Sequence, residues 1–296
     1  MDKTMFTGSG VALITPFTED GVDYEAFGKL IDWQIEQGTD ALIVCGTTGE
    51  PATMTWEERV EAIDFAVKRT AGRVPVFAGT GGNCTRVVID FSQKIEKLGV
   101  DGLLVVTPYY NKTTQEGLIA HFTALADAVN LPIIMYNVPS RTGVNMLPAT
   151  VAKLAEHKNI RAIKEASGNI EQITEVARLC GDKIALYSGN DDHVLPLLAL
   201  GGQGVISVVA NVAPKATHDM VARYFAGDIE GCRELQFKLN PMTKLLFCEV
   251  NPIPVKAAMH MMGMCSDVIR LPLVKMTEAN REKLRAEMVK FGVLAE

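Results

Sequence analysis

The residue types able to do chemistry in this chain gather just behind short apolar runs. Lys164 closes one such run, in Arg161-Ala-Ile-Lys-Glu-Ala-Ser-Gly168. Behind others stand Gly46-Thr-Thr-Gly-Glu50, Thr107-Pro-Tyr-Tyr110, Tyr136-Asn-Val-Pro-Ser-Arg-Thr-Gly143 and Gly189-Asn-Asp-Asp-His193. Each has a plain structural reading: a turn with hydroxyl caps, an amphipathic tyrosine pair, a loop with a surface arginine, a lysine reaching to solvent. Together they offer an amine, phenols, two hydroxyls and a guanidinium. That set suits imine chemistry on a small keto acid.

The chemistry makes a demand on the amine. At an ordinary lysine pKa only about 1 in 2,500 side chains is neutral at pH 7. Burial that lowers the pKa by about three units raises that fraction to near one third, at a cost of roughly 4 kcal/mol to the charged form. Strand alternation places Ile160 and Ala162 on the face of Lys164, which would supply such surroundings. A phenol such as Tyr136 would move protons in carbinolamine formation and dehydration, and Arg141 would pair with a carboxylate.

The elements that must position these groups follow from hydrophobic pattern. Strands are expected near Gly10–Ile14, Ala41–Cys45, Val74–Ala78, Gly102–Val106, Pro132–Tyr136, Ile160–Lys164, Ile184–Ser188 and Gly204–Ser207. They are nearly continuous in hydrophobicity, as parallel strands buried on both faces are. Between them, Tyr24–Gln37, Trp56–Thr70, Val87–Leu98 and Leu118–Ala128 carry apolar residues at helical spacing, with Gly38, Gly72 and Gly99 as stops. Eight unbroken βα units predict an α/β fold, a (β/α)₈ TIM barrel over residues 1–227. In such a barrel the groups named above share the end that carries active sites. Residues 228–296 read as a C-terminal helical extension, with helices over Cys232–Phe247, Val255–Met262 and Glu278–Phe291. No low-complexity linker separates it, so packing on the barrel is expected rather than a separate domain.

Other features carry less. Gly79-Thr-Gly-Gly82 lacks a phosphate-loop lysine, and Gly201-Gly-Gln-Gly204 precedes its strand. Asp191, Asp192 and His193 are consecutive and converge poorly on one metal, so a helix N-cap is the better reading. The 13 methionines read as core filler. Six scattered cysteines, without a CxxC pair, suggest reduced thiols, mostly buried, in a cytoplasmic protein. A net charge of −6 argues against nucleic acid as a partner. No apolar run approaches a membrane span, and Met1–Gly8 lacks the apolar core of a signal peptide. No metal or organic cofactor is called for.

On these motifs, together with Ile163-Lys-Glu-Ala166 and Asn251-Pro-Ile-Pro-Val-Lys256, the chain resembles the dihydrodipicolinate synthase family of the class I aldolase superfamily. The resemblance runs from about Phe6 to Leu273. It implies that Lys164 forms a Schiff base with pyruvate and that Tyr136 is the acid/base, relayed through Thr47 to Tyr110 of a neighbouring subunit. It further implies that Thr48 and the main chain of Ile206 hold the pyruvate carboxylate, with Gly189 also at the substrate site. Arg141 would position L-aspartate 4-semialdehyde. The implied product is 4-hydroxy-tetrahydrodipicolinate, the first committed step toward diaminopimelate and lysine, and the implied assembly is a homotetramer, a dimer of dimers.

Two alternatives accompany that reading. One is an N-acetylneuraminate lyase-like or 2-keto-3-deoxy sugar acid aldolase on the same scaffold; Arg141 disfavours it, because such a site would place hydroxyl partners in that loop. The other is a non-enzymatic barrel with an ordinary, exposed Lys164. Feedback-inhibited relatives bind lysine at positions that correspond here to Pro51, Ala52, Trp56, Arg59, Asn83, Val87 and Tyr109. Arg59 would repel the ammonium and Val87 brings no carboxylate, so lysine is expected to inhibit weakly or not at all.

Overall fold

The computed structural model describes residues 5–295. The reading of Met1–Gly8 as lacking a leader core therefore falls partly outside the described residues. Strands β1 (Gly8–Ala12), β2 (Ala41–Val44), β3 (Val76–Gly79), β4 (Gly102–Val106), β5 (Ile133–Asn137), β6 (Ile160–Glu165), β7 (Ala185–Ser188) and β8 (Gly204–Ser207) are joined in chain order. Each pairs in parallel with the next, and β8 returns to β1 to close the barrel. The expected (β/α)₈ barrel is the observed fold.

Helices α1 (Tyr24–Glu36), α2 (Trp56–Thr70), α3 (Thr85–Glu96) and α4 (Gln115–Ala128) follow the first four strands. After β5 come the short α5 (Pro139–Thr142) and α6 (Pro148–Leu154), then α7 (Ile170–Cys180), α8 (Val194–Ala199) and α9 (Pro214–Phe225). Several helices start earlier than hydrophobic spacing alone suggests, because polar residues cap them. Thr114 accepts from the Gly117 N–H at 3.2 Å and opens α4 at Gln115 rather than Leu118. α3 also begins earlier, at Thr85 rather than Val87, but without a side-chain cap. Ahead of α2, Thr55 and Glu58 exchange backbone-to-side-chain bonds of 2.9 and 3.1 Å, a reciprocal box worth about 1 kcal/mol.

Two apolar layers result. The outer one sets alternate strand residues such as Val11, Leu42, Val105 and Ile163 against Phe27, Leu30, Ile63 and Phe122 of the helices. The inner one fills the bore with Ile43, Phe77, Leu104, Ile134, Ala162, Tyr187 and Ile206. Phe6, ahead of β1, plugs the lower end: it stacks on Tyr187 at 4.3 Å, and the Tyr187 phenol donates to the Phe6 carbonyl at 2.6 Å. The upper end, where the strands finish, is left for chemistry.

One expectation about the bore is corrected. Ile160 does not share the face of Lys164; it packs in the outer layer with Ile163. Ile133 pairs with Ile160 but Ile134 pairs with Ala162, so Arg161 is an extra residue in the ladder and alternation restarts after it. β6 also runs one residue past Lys164, to Glu165.

The remaining chain forms α10 (Ile229–Leu246), α11 (Ile253–Met261) and α12 (Glu278–Phe291). Asp228 caps α10 through the Gly231 N–H at 2.9 Å, which moves its start from Cys232 to Ile229. α10 lies along α9 and α12, and Leu239, Met242, Val255, Met259 and Leu284 belong to the same apolar cluster as the barrel's outer layer. Among the described residues no helix is long and apolar enough to cross a membrane. Of the six free cysteines, Cys45, Cys180 and Cys232 are buried, Cys265 is half-buried, and Cys84 and Cys248 are exposed, so burial is less general than expected.

Candidate active site

A cavity of about 750 Å³ opens at the upper end of the barrel. Its wall takes residues from several strand ends, among them Thr47, Thr48, Tyr136, Arg141, Lys164, Gly189 and Asp191. Lys164 is 5% exposed. β5 and β6 are in register so that Tyr136 faces Lys164, and the ammonium lies 4.3 Å from the centre of the phenol ring. Ala162, Ala166 and Tyr187 belong to the same inner layer. Burial pulls the Lys164 pKa down to about 8, opposed by the charge of Asp191 and aided by that of Arg141. At that value about one amine in ten is neutral at pH 7.

Gly189 is required by this packing. A Cβ there would stand 2.6 Å from the Ala166 Cβ and 3.1 Å from the Lys164 Cε. Its N–H donates to the Glu165 carbonyl at 2.8 Å, tying the end of β7 beside the lysine.

Tyr136 is buried, which raises its pKa; the Arg141 cation and a side-chain hydrogen bond with Thr47 work in the opposite direction. The next register pair, Asn137 and Glu165, points the other way and is clamped behind the strands. The Asn137 Nδ2 donates to both Glu165 oxygens at 3.3 and 3.1 Å and to the Asn145 Oδ1 at 2.9 Å. Ser167 and Gln172 add donors to Glu165 at 2.7 and 3.4 Å. This buried network holds β5 and β6 in the register that sets Tyr136 against Lys164.

Asp191 does not cap its own turn, contrary to expectation. Its carboxylate accepts from the Ser207 hydroxyl and from the Val208 and Val209 N–H groups at 3.0 and 3.2 Å. It thus fastens the end of β8 to that of β7, and burial raises its pKa. Among the described residues no cluster of His, Cys, Asp or Glu is arranged to hold a metal.

Asn251, which sequence motifs include but give no task, joins two candidate groups. Its Nδ2 donates to the Thr48 Oγ1 at 3.1 Å, and its carbonyl accepts from Arg141 at 3.2 Å. Ile206 lies in β8 opposite Gly10, its side chain in the inner layer below the cavity. Tyr110 is not brought to the site within one chain. It is 83% exposed, has φ +72°, and does not line the cavity.

A second cavity of about 610 Å³ adjoins the first across Gly46, Thr47, Tyr136 and Arg141. Pro51, Ala52, Arg59 and Tyr109 line it, whereas Trp56, Asn83 and Val87 do not. The Arg59 guanidinium sits 4.0 Å over the Phe91 ring and donates to the Gly79 carbonyl at 3.1 Å. Trp56 meets the same ring edge-on at 4.8 Å, and Asn83 and Val87 face outward.

Residues 5–290 match the family described as the dihydrodipicolinate synthetase family. A 4-hydroxy-tetrahydrodipicolinate synthase of Caldicellulosiruptor bescii is 58% identical over 291 residues, 98% of each chain. The dihydrodipicolinate synthase structure from Aquifex aeolicus superposes with a TM-score of 0.96 at 48% identity, covering 98% of this chain and 100% of that one. A structure described as the first monomeric dihydrodipicolinate synthase variant gives 0.97 at 45% identity, covering 99% of both chains.

Proposed function

The chain belongs to the dihydrodipicolinate synthetase family, and from that premise we propose that it condenses pyruvate with L-aspartate 4-semialdehyde. This is the lyase reaction of a 4-hydroxy-tetrahydrodipicolinate synthase, on the path to diaminopimelate and lysine. The observation that carries the reading is Lys164, an amine buried at the cavity floor against Tyr136 with its pKa drawn down to about 8. The neutral amine attacks the pyruvate carbonyl, and loss of water gives the imine. Tyr136 exchanges the protons of that step, and its hydrogen bond with Thr47 gives them a way out. Loss of a methyl proton makes the enamine, whose carbon attacks the aldehyde; the semialdehyde's amine then displaces Lys164 and closes the ring.

Thr48 and the main chain at Ile206 bind the pyruvate carboxylate in this reading, with Gly189 leaving room beside the lysine. Arg141, at the rim and oriented by the Asn251 carbonyl, receives the semialdehyde carboxylate. That fixed cation favours this reaction over a sugar-acid lyase. Tyr110 acts across a subunit boundary; its exposure and positive φ suit a side chain held out toward a partner. A homotetramer of two such dimers is the assembly proposed, with the barrel over residues 1–227 as catalytic domain and residues 228–296 packed on it. The Arg59 cation and the lack of a carboxylate at Val87 support weak or absent inhibition by lysine.

Treatment with pyruvate and borohydride tests the reading. A reduced pyruvate adduct on Lys164, seen by peptide mass spectrometry, is the expected result. No adduct at saturating pyruvate would overturn it.

A further inference from the structure

The cavity wall that carries Thr47 and Thr48 is a 3₁₀ turn, Thr47–Gly49, ended by Glu50 in a left-handed conformation with φ +57°. Three contacts from elsewhere hold this turn. The Thr15 hydroxyl donates to the Gly49 carbonyl at 2.8 Å, and the Asn251 amide donates to Thr48 at 3.1 Å. The third is an ion pair: Lys256 Nζ lies 2.9 Å from Glu50 Oε1, with side chains 3% and 0% exposed. The same ammonium donates to the Thr15 carbonyl at 3.1 Å and rests 4.3 Å from the centre of the Phe17 ring. Lys256 stands on α11, which starts two residues after Asn251. A little farther along, Arg270 donates to the Thr53 carbonyl at 3.2 Å. Asn251, Lys256 and Arg270, all from the C-terminal region, thus converge on the loop between Thr48 and Thr53.

A buried ion pair is an expensive way to gain stability, since apolar residues of similar volume often serve as well or better. What it offers is direction: a carboxylate and an ammonium that must meet fix the backbone carrying them. We infer that Glu50 and Lys256 are positioning residues, a latch by which the C-terminal region holds the turn that presents Thr48 to pyruvate and Thr47 to Tyr136. This rests on the pyruvate reading above. The pair touches no substrate, and its influence passes through the turn. The C-terminal region is then part of the pyruvate site rather than a support for the barrel's flank.

The test measures the pyruvate concentration that gives half-maximal borohydride-trapped adduct on Lys164. Three variants are compared: Lys256→Met, the double variant Glu50→Gln/Lys256→Met, and Leu125→Ala. The last removes buried core from α4, away from the turn. Lys256→Met is expected to raise the half-maximal concentration about tenfold or more. The double variant, which leaves no unpaired charge and so folds even if the single one does not, is expected to show the same rise. Leu125→Ala, destabilised by core loss, is expected to stay within about twofold of the parent. If the double variant also stays within twofold, or if Leu125→Ala shifts as far as the latch variants, the pair is structural and the inference falls. Absence of adduct in the parent protein is a different result, which removes the pyruvate reading itself and this inference with it.

Discussion

Lys164 and Lys256 are both nearly inaccessible, 5% and 2% exposed, and each holds its ammonium 4.3 Å from the centre of an aromatic ring. Burial pulls the pKa of both below the ordinary lysine value. They part company over what else is in reach. Lys256 touches a carboxylate at 2.9 Å and a carbonyl at 3.1 Å, which stabilise the charged form. The acid acting on Lys164 is Asp191, whose oxygens are engaged by Ser207, Val208 and Val209. One amine keeps a dedicated counter-ion; the other has only a field. Burial therefore does not make a lysine a nucleophile, but burial without a contacting acid can.

The largest expected effect that would break this contrast is on activity. Lys164→Met is expected to lower turnover of pyruvate and semialdehyde by about 10⁴-fold or more, measured by a coupled rate assay. Tyr136→Phe is expected to cost about 10²–10⁴-fold in kcat. The two lysines then separate by the sign of their effect on stability. Lys256→Met leaves Glu50 buried and unpaired, and is expected to destabilise by about 3–5 kcal/mol in denaturant titrations.

Lys164→Met should do the opposite. The folded pKa of about 8 lies below that of the unfolded chain, so the unfolded state binds the proton more tightly. Below pH 8 the parent protein bears the full cost, about 3 kcal/mol, which the variant avoids. As pH rises from 8 toward about 10.4 that cost disappears and the two stabilities converge. A variant less stable than the parent at pH 7 would contradict this account of the site.

Smaller effects sharpen the comparison. Asp191 opposes the fall of the Lys164 pKa, so Asp191→Asn is expected to lower it further. The rising limb of adduct formation, centred near pH 8 in the parent, should move to more acidic pH. A limb that stays put or moves alkaline would remove Asp191 from the electrostatics of the amine. Least of all, about 1 mM L-lysine is expected to change the rate by less than about twofold, because Arg59 disfavours a second cation there.

Much of this was legible from the chain alone. Parallel strands buried on both faces write themselves as Val- and Ile-rich runs, so the barrel and the end at which Lys164, Tyr136 and Arg141 meet follow from pattern. The cap residues Thr114 and Asp228 were readable too, and would have placed two helix starts correctly. Asn251 and Lys256 were not readable in the same way. They sit more than 200 residues from Thr48 and Glu50, and only the packing of α11 brings them near. Asp191 misled because an acid at the head of a helical stretch normally caps it, whereas here the neighbouring strand end offers better donors. Tyr110 is exposed and lines neither cavity, so within one chain nothing marks it apart from other surface tyrosines.

Arg161 is the extra residue in the β5–β6 ladder. It works as a phase shifter: below it the strand sends Ile160 toward the helices, and above it the strand sends Ala162 and Lys164 into the bore. Odd-even counting from the foot of the strand would assign the Lys164 amine to the wrong side of the wall. A single strand can therefore address two compartments, anchoring the shell with its first residue and lining the cavity with its last turns of the pleat. Moving the extra residue one place along would change which side chain is delivered, with the barrel's strand count and order untouched.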